Sequence, residues 1–374
     1  MAPDARILSV KVGVADGGVD VSQVIAAVDW VVQHRNDNGM NIRVLNLSYG
    51  TDSLQSYLVD PLAFAVEQAW KAGIFVVTAT GNAGYAFKTG TLTNPAFDPK
   101  IFAVGASDSM GTATQADDTV ASFSSTGSNQ RTPDVVAPGA HLVSLRVPGS
   151  YIDQTFGSTG VVTSSLFRGS GTSEAAAFVS GAAALVIQQR PTISPDSLKR
   201  LFLFNTKSLG GFSSPKQGSG EVDLGKMLDA PTYNPPVQWK TIAWSTGIGS
   251  LELSRGTEHL TRDGVVLSGS IDIFGQSFDS AAMALLEAAG NSWSGGVWNG
   301  NVWTGNSWSG NSWSGNSWSG NSWSGAFWNG NSWSGNSWSG NSWSGNSWSG
   351  NSWSGNSWSG NSWSSSGWMG VSWS

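Results

Sequence analysis

The part of this 374-residue chain best suited to chemistry is one serine set among glycines and small residues. In Phe167-Arg168-Gly169-Ser170-Gly171-Thr172-Ser173-Glu174-Ala175-Ala176-Ala177, Gly169 and Gly171 allow the backbone to turn sharply. The small residues that follow, through Gly181 to Leu185, read as a helix starting on Ser173. The unpaired N–H groups and positive dipole end of a helix N-terminus favour a developing negative charge. That suits a nucleophile attacking a carbonyl. The same residue types also suit an ordinary loop ahead of a buried helix, so the serine has to be judged by the elements that would bring partners to it.

Those elements alternate. Ile7 to Val14 reads as a short strand. Asp20 or Ser22 caps a helix running to about Arg35, with Val21, Val24, Ile25, Val28, Val31 and Val32 at helical spacing. Asn36-Asp37-Asn38-Gly39 ends it. Ile42 to Leu47 is a strand leading to Ser48-Tyr49-Gly50, and Pro61 opens a helix that carries Phe64, Ala65, Ala69 and Ala72. Ile74 to Ala79 is an apolar strand running into Thr80-Gly81-Asn82. Ile101 to Ala106 and Pro133 to Pro138 are further strands, Ser194 caps a helix from Pro195, and Gly218 to Leu224 closes the pattern. Strands that are apolar throughout and alternate with helices imply an α/β fold with a parallel sheet covered on both faces. In such sheets ligands meet the carboxyl ends of the strands. There the loops Ser48-Tyr49-Gly50, Gly81-Asn82 and Gly171-Thr172-Ser173 converge.

Taken together, these pieces resemble the subtilisin-like serine peptidases over about residues 2 to 230. Ala2 to Ile7 looks like the strand entry after the family's histidine helix. Asn46-Leu47-Ser48-Tyr49-Gly50 is similar to the substrate-lining strand, and Ala79-Thr80-Gly81-Asn82 to the turn presenting an oxyanion-hole asparagine. Ala121 to Gly127 and Val136 to Ala140 also match, and Gly171-Thr172-Ser173 matches the nucleophile motif. The resemblance implies a doubly wound parallel sheet and hydrolysis of peptide bonds through a seryl acyl-enzyme. Ser173 would be the nucleophile, and its backbone N–H would share the oxyanion with the Asn82 amide. Ser48, Tyr49, Gly50, Thr80, Gly81 and Thr172 would lie along the substrate. It also implies a peptide or protein substrate, an extracellular or cell-surface setting and, as in many members, calcium.

Two departures qualify this. The family usually has proline and histidine shortly after the serine, where Ala177 and Phe178 stand; Glu174 is expected to point to solvent. More important, the family's catalytic aspartate and histidine lie in Asp-Thr/Ser-Gly and His-Gly-Thr motifs, and neither motif occurs ahead of Ser48. The resemblance therefore implies an incomplete peptidase domain, nearly inactive as this chain alone, whose sheet lacks its first strand. His34, His141 and His259 are expected in structural or surface roles, since a base must reach the hydroxyl within hydrogen-bond distance.

Composition narrows the rest. A net charge of −6 leaves no basic footprint for nucleic acid, and the absence of cysteine excludes disulfides and thiolate metal sites. No cofactor or metal ligand set is read from the three histidines. No apolar run is long enough to span a membrane, and Met1 to Arg6 does not read as a secretory leader. Pro231, Pro235 and Pro236 mark a change of composition. Residues 1–230 form the partial peptidase domain, 231–290 a linker with short β pieces including one or two hairpins around Gly264 to Ile273, and 291–374 a repeat tail of Asn-Ser-Trp-Ser-Gly units. Tryptophan recurs every fifth residue from Trp293 to Trp373. Such a period suits a turn at each Gly-Asn with a short Ser-Trp-Ser strand, the stacking of which would make a β-solenoid; a low-complexity coil is the other reading. The indoles are expected mainly as core or self-association surface, with contact to cell-wall glycans as the alternative.

Overall fold

The computed structural model describes residues 2–13, 18–84, 92–257, 259–262 and 265–302, with the short pieces 323–324, 327–328, 363–364 and 367–368. The chain forms two units. The first comprises residues 1–8, 28–258 and 280–290, the second 9–27, 259–279 and 291–374. Helix α1 (Val21–His34) passes from the second into the first. Its start is fixed by the Asp20 carboxylate, which accepts the Ser22 N–H at 2.9 Å.

The first unit is built on a largely parallel sheet. Strands β1 (Val44–Leu47), β2 (Phe75–Ala79), β3 (Phe102–Asp108), β5 (Val135–Pro138) and β9 (Glu221–Val222) lie parallel in that order. Strand β8 (Thr206–Lys207) runs antiparallel beside β9, and β4 (Thr119–Val120) antiparallel beside β3. Val44 faces Phe75, Val77 faces Phe102 and Val104 faces Val135 across the ladders. All of β2 is buried, so both its faces are covered, as its unbroken apolar run requires. Helix α2 (Pro61–Lys71) packs on β2. It begins at Asp60, whose carboxylate accepts from Leu62 and Ala63 at 2.9 and 3.0 Å, with Pro61 in the first turn. Phe75, Phe102 and Phe202, the last from α5 (Pro195–Phe204), meet with ring centroids 5.0 to 5.7 Å apart. Helix α4 (Thr172–Gln189) lies across β1, β2, β3 and β5. Its Ala175, Ala176, Ala182 and Ala183 are fully buried, and their small side chains let helix and sheet approach closely.

Between β5 and α4 the chain forms the hairpin β6 (Leu142–Leu145) and β7 (Leu166–Gly169), with α3 (Tyr151–Gly160) inserted in it. Short helices α6 (Ser214–Gln217) and α7 (Leu224–Asp229) flank β9.

The expected strand over Ile7 to Val14 does not form. Residues 7–13 are irregular and Ile7 is 89 % exposed. An apolar run becomes a strand only with a neighbour to bond, and among the described residues β1, half-exposed at the sheet edge, pairs with β2 alone.

Residues 231–290 are more helical than a linker with hairpins would be. They contain α8 (Val237–Thr241), α9 (Leu251–Arg255) and α10 (Ser280–Ala288) besides one hairpin, β10 (Thr261–Arg262) with β11 (Val265–Val266). Residues 245–257 form a strap against the α2 end of the first unit. The Ser245 N–H donates to Glu67 Oε2 at 2.7 Å and its hydroxyl to the Asp60 carbonyl at 3.1 Å. Gln55 exchanges two hydrogen bonds with the Ser250 backbone. The Ser254 hydroxyl donates to Asp60 Oδ1 at 3.1 Å, and the Ser254 carbonyl accepts from Thr51 at 2.6 Å.

In the second unit β12 (Trp293–Ser294), β13 (Val297–Trp298) and β14 (Asn301–Val302) make a three-stranded meander. Its two-residue turns, Gly295–Gly296 and Asn299–Gly300, have positive φ throughout, as tight hairpin turns of this hand require. Trp293 and Trp298 are cross-strand partners. Trp298 is fully buried against Phe274 and Phe278, and the Trp293 indole N–H donates to the Ala26 carbonyl at 3.0 Å. Two further pieces repeat the same antiparallel register, Trp323 with Trp328 and Trp363 with Trp368. The rest of the repeat tail, and with it the solenoid expectation, lies outside the described residues.

Candidate active site

The glycine-rich loop delivers Ser173 to the first turn of α4, one residue inside its start. Gly171 is extended, not left-handed, so its part is one of space: its N–H donates to the Gly139 carbonyl at 2.8 Å and its own carbonyl crowds Gly139. Gly139 in turn donates to the Ser107 carbonyl at the end of β3 at 2.9 Å. The Val136 to Ala140 stretch therefore ties the serine loop to the carboxyl ends of β3 and β5.

The second loop leaves β2. Gly81 sits at φ +100, a left-handed conformation that suits glycine, and a side chain there would strike Thr93. Ser125 clamps the turn from behind: its N–H donates to the Gly81 carbonyl at 3.0 Å and its hydroxyl accepts from Ala83 at 3.1 Å. Ser124 accepts the Ala106 N–H at 3.0 Å. Ser125 is thus a buttress for the turn carrying Asn82, and Ser124 for the end of β3.

Thr172 joins the two loops. Its N–H and hydroxyl both donate to Asn82 Oδ1, at 2.9 and 3.0 Å, while its hydroxyl oxygen accepts the Gly81 N–H at 3.2 Å. With Oδ1 occupied, the exposed Asn82 presents Nδ2, which makes no hydrogen bond among the described residues. Asn82 Nδ2 and the Ser173 N–H both stand near the open side of Gly171, 3.5 and 3.6 Å from where a Cβ would be. Two hydrogen-bond donors flanking a serine hydroxyl at a helix N-terminus can hold an oxyanion as it forms.

The third loop reaches the same place. Ser48 donates to the Ser173 carbonyl at 3.1 Å and accepts from Asn46 Nδ2 at 3.1 Å. Tyr49 and Gly50 follow, Gly50 packed against Thr93, and Thr51 forms a two-way backbone bridge with Asn94. The sequence signalled neither Thr93 nor Asn94, since their role depends on a contact between distant loops.

The structure turns two of the expected substrate-facing side chains inward. Thr80 is fully buried with its hydroxyl unpartnered, leaving its backbone to serve the loop; Thr172 is fully buried and its hydroxyl is taken by Asn82 and Gly81. Glu174, expected to face solvent, folds back over the loop instead, with Oε1 3.1 Å from the Cβ position of Gly169.

None of the three histidines hydrogen-bonds Ser173 among the described residues. His34 stacks on Trp30 and its Nδ1 contacts the Trp30 carbonyl at 2.8 Å. His141 lies beside the loop, its backbone N–H donating to Ser170 Oγ at 2.8 Å. Its ring faces solvent, with Nδ1 3.6 Å from Asp108. His259 belongs to the second unit.

Behind the site, the fully buried Glu221 accepts from Ser107 and, at 3.1 Å, from Gln115. Burial and then the neighbouring Asp118 push the Glu221 carboxyl up to about 7. Among the described residues no group of three or more His, Asp or Glu side chains is placed to hold a metal ion. No described helix is long and apolar enough to cross a membrane.

The chain is 40 % identical to the serine protease AprX of Bacillus subtilis over 228 residues, which cover 59 % of this chain and 51 % of that protein. It is 34 % identical to subtilisin Savinase of Lederbergia lenta, covering 60 % of this chain and 68 % of the relative. Among solved structures, fervidolysin of Fervidobacterium pennivorans aligns over 57 % of this chain and 30 % of its own, at 24 % identity and a TM-score of 0.45. The chain spans about half the length of AprX. The Subtilase family matches residues 1–221, well over half of the sequence, and the chain belongs to that family of serine peptidases.

Proposed function

We propose that this chain carries the nucleophile and the oxyanion donors of a serine endopeptidase, and that as these 374 residues alone it turns over slowly or not at all. The observation that carries the reading is the pair of hydrogen bonds from Thr172 to Asn82 Oδ1, which fix the amide so that Nδ2 and the Ser173 N–H serve one site. Ser173 Oγ would attack the carbonyl carbon of a peptide lying along Ser48-Tyr49-Gly50. The hydroxyl proton passes to a general base, then to the leaving amine, and water hydrolyses the acyl ester. Asn82 and the Ser173 N–H stabilise the oxyanion at both stages. The base is the missing part. A serine hydroxyl without one is a poor nucleophile, and removing the histidine from subtilisin itself costs about 10⁶ in kcat.

The test is a fluorophosphonate probe applied to the chain and to Ser173→Ala, alongside titration of an extended peptide amide into ¹⁵N-labelled protein. The peptide is expected to shift the amides of Ser48, Gly50, Gly81 and Ser173, and shifts confined elsewhere would overturn the cleft. Probe labelling of Ser173 is expected to stay at the level of the alanine variant; robust labelling would overturn the inactivity. The rival reading, a remnant working through glycan contact of its repeat, draws no support from the second repeat unit, where Trp298 is buried in a core. The extracellular setting rests on the family resemblance.

A further inference from the structure

Glu174 follows the nucleophile directly, and its carboxylate is aimed at the oxyanion site. Oε2 stands 2.5 Å from the Cβ position of Gly171, the same point that lies 3.5 Å from Asn82 Nδ2 and 3.6 Å from the Ser173 nitrogen. An acid oxygen and the two donors therefore lie within 3.6 Å of one point, which no side chain of residue 171 occupies because it is glycine. The Glu174 side chain is half-buried, and no hydrogen bond or ion pair engages its carboxylate among the described residues. Nothing there neutralises its charge or draws it away.

We propose that Glu174 is a charge filter on the acyl side of the cleft, discriminating against peptides that end in a carboxylate at the carbonyl under attack. This rests on the peptidase reading above and extends it to specificity. An uncleaved peptide places a neutral amide carbonyl between Asn82 and the Ser173 N–H. The N-terminal product of cleavage places a carboxylate there, and its negative charge meets that of Glu174 at short range. A partly screened like-charge pair at this distance is worth about a tenfold loss of affinity or more. The filter has a cost in the same terms, because the charge that expels a product acid also opposes the oxyanion of the transition state. The arrangement favours clearance of product over the fastest acylation.

The experiment needs no turnover. The acetylated peptide Ala-Ala-Ala-Leu, prepared as the free acid and as the carboxamide, is titrated into the full chain by NMR, with wild type, Glu174→Gln and Glu174→Asp compared. In the wild type the carboxamide is expected to bind more tightly than the acid. Glu174→Gln is expected to shrink that preference by about tenfold, while Glu174→Asp keeps it. Since the readout is a ratio between two ligands on one protein, a general loosening of the loop cancels. An unchanged ratio in Glu174→Gln overturns the filter while leaving the cleft intact. Failure of either peptide to bind any of the three proteins overturns the cleft itself, and the filter with it.

Discussion

The residue that does most to assemble the candidate site is not the one that would react. Thr172 is fully buried, and its hydroxyl accepts from Gly81 and donates to Asn82. Replacing it with valine keeps the shape and leaves the Gly81 N–H without a partner. The expected loss is about 1–3 kcal/mol of stability, read by urea unfolding, with Thr172→Ser close to wild type. A Gly-Asn turn after an apolar strand and a Gly-Thr-Ser loop before a small-residue helix are local signals, each weak alone, and only the family resemblance singles out Asn82 and Ser173 from them. The directions of Thr80, Thr172 and Glu174 are not local. The same loop backbone could send each hydroxyl or carboxylate inward or outward, and for Thr172 a partner ninety residues away in sequence, Asn82, decides it.

At the scale of elements, β2, β3, β5 and the helices α2, α4 and α5 follow from apolar runs and caps that any reader of the chain can find. The strap 245–257 does not, because polar contacts hold much of it and no hydrophobic period announces it. Its anchor on Glu67 makes a pH prediction. Burial, then the charge of Asp98, pushes the Glu67 carboxyl up to about 8. Asp98 is itself raised by burial, and both side chains keep one buried oxygen without a partner. The folded state therefore holds a proton that the unfolded chain has released above its ordinary glutamate value of about 4.3. The stability this contributes is full below that value and is lost as pH rises through about 8. The melting temperature is expected to fall between about pH 5 and pH 8.5, and Glu67→Gln, which carries no titrating proton, should flatten that slope. An unchanged slope in the variant would show that the strap is not held by a protonated acid. Residues 7–13 make the converse point: the strand propensity read from Ile7 onward is real, but a strand is a relation between two segments.

For the molecule as a whole, the transition from peptidase domain to repeat is a change in what tryptophan is for. Trp298, in the second unit of the repeat, fills a core with Phe274 and Phe278. Trp298→Ala should cost the second unit about 3–5 kcal/mol. The measurement is hydrogen exchange at the amides of Ile273 and Phe278, which bond to Ser22 and Ser270 and should lose their protection. Unaltered protection would place this indole outside the folded core. A two-residue turn between two-residue strands sets Trp293 opposite Trp298, and the same offset recurs at Trp323 and Trp328 and at Trp363 and Trp368. These pairs are separated by whole multiples of the unit, so the pairing rule is indifferent to how many units intervene. Genetic slippage that adds or deletes whole pentapeptides between these pairs would therefore change the length of the tail and leave the five-residue spacing within each pair intact. Length becomes a freely adjustable property, uncoupled from the grammar of the contacts.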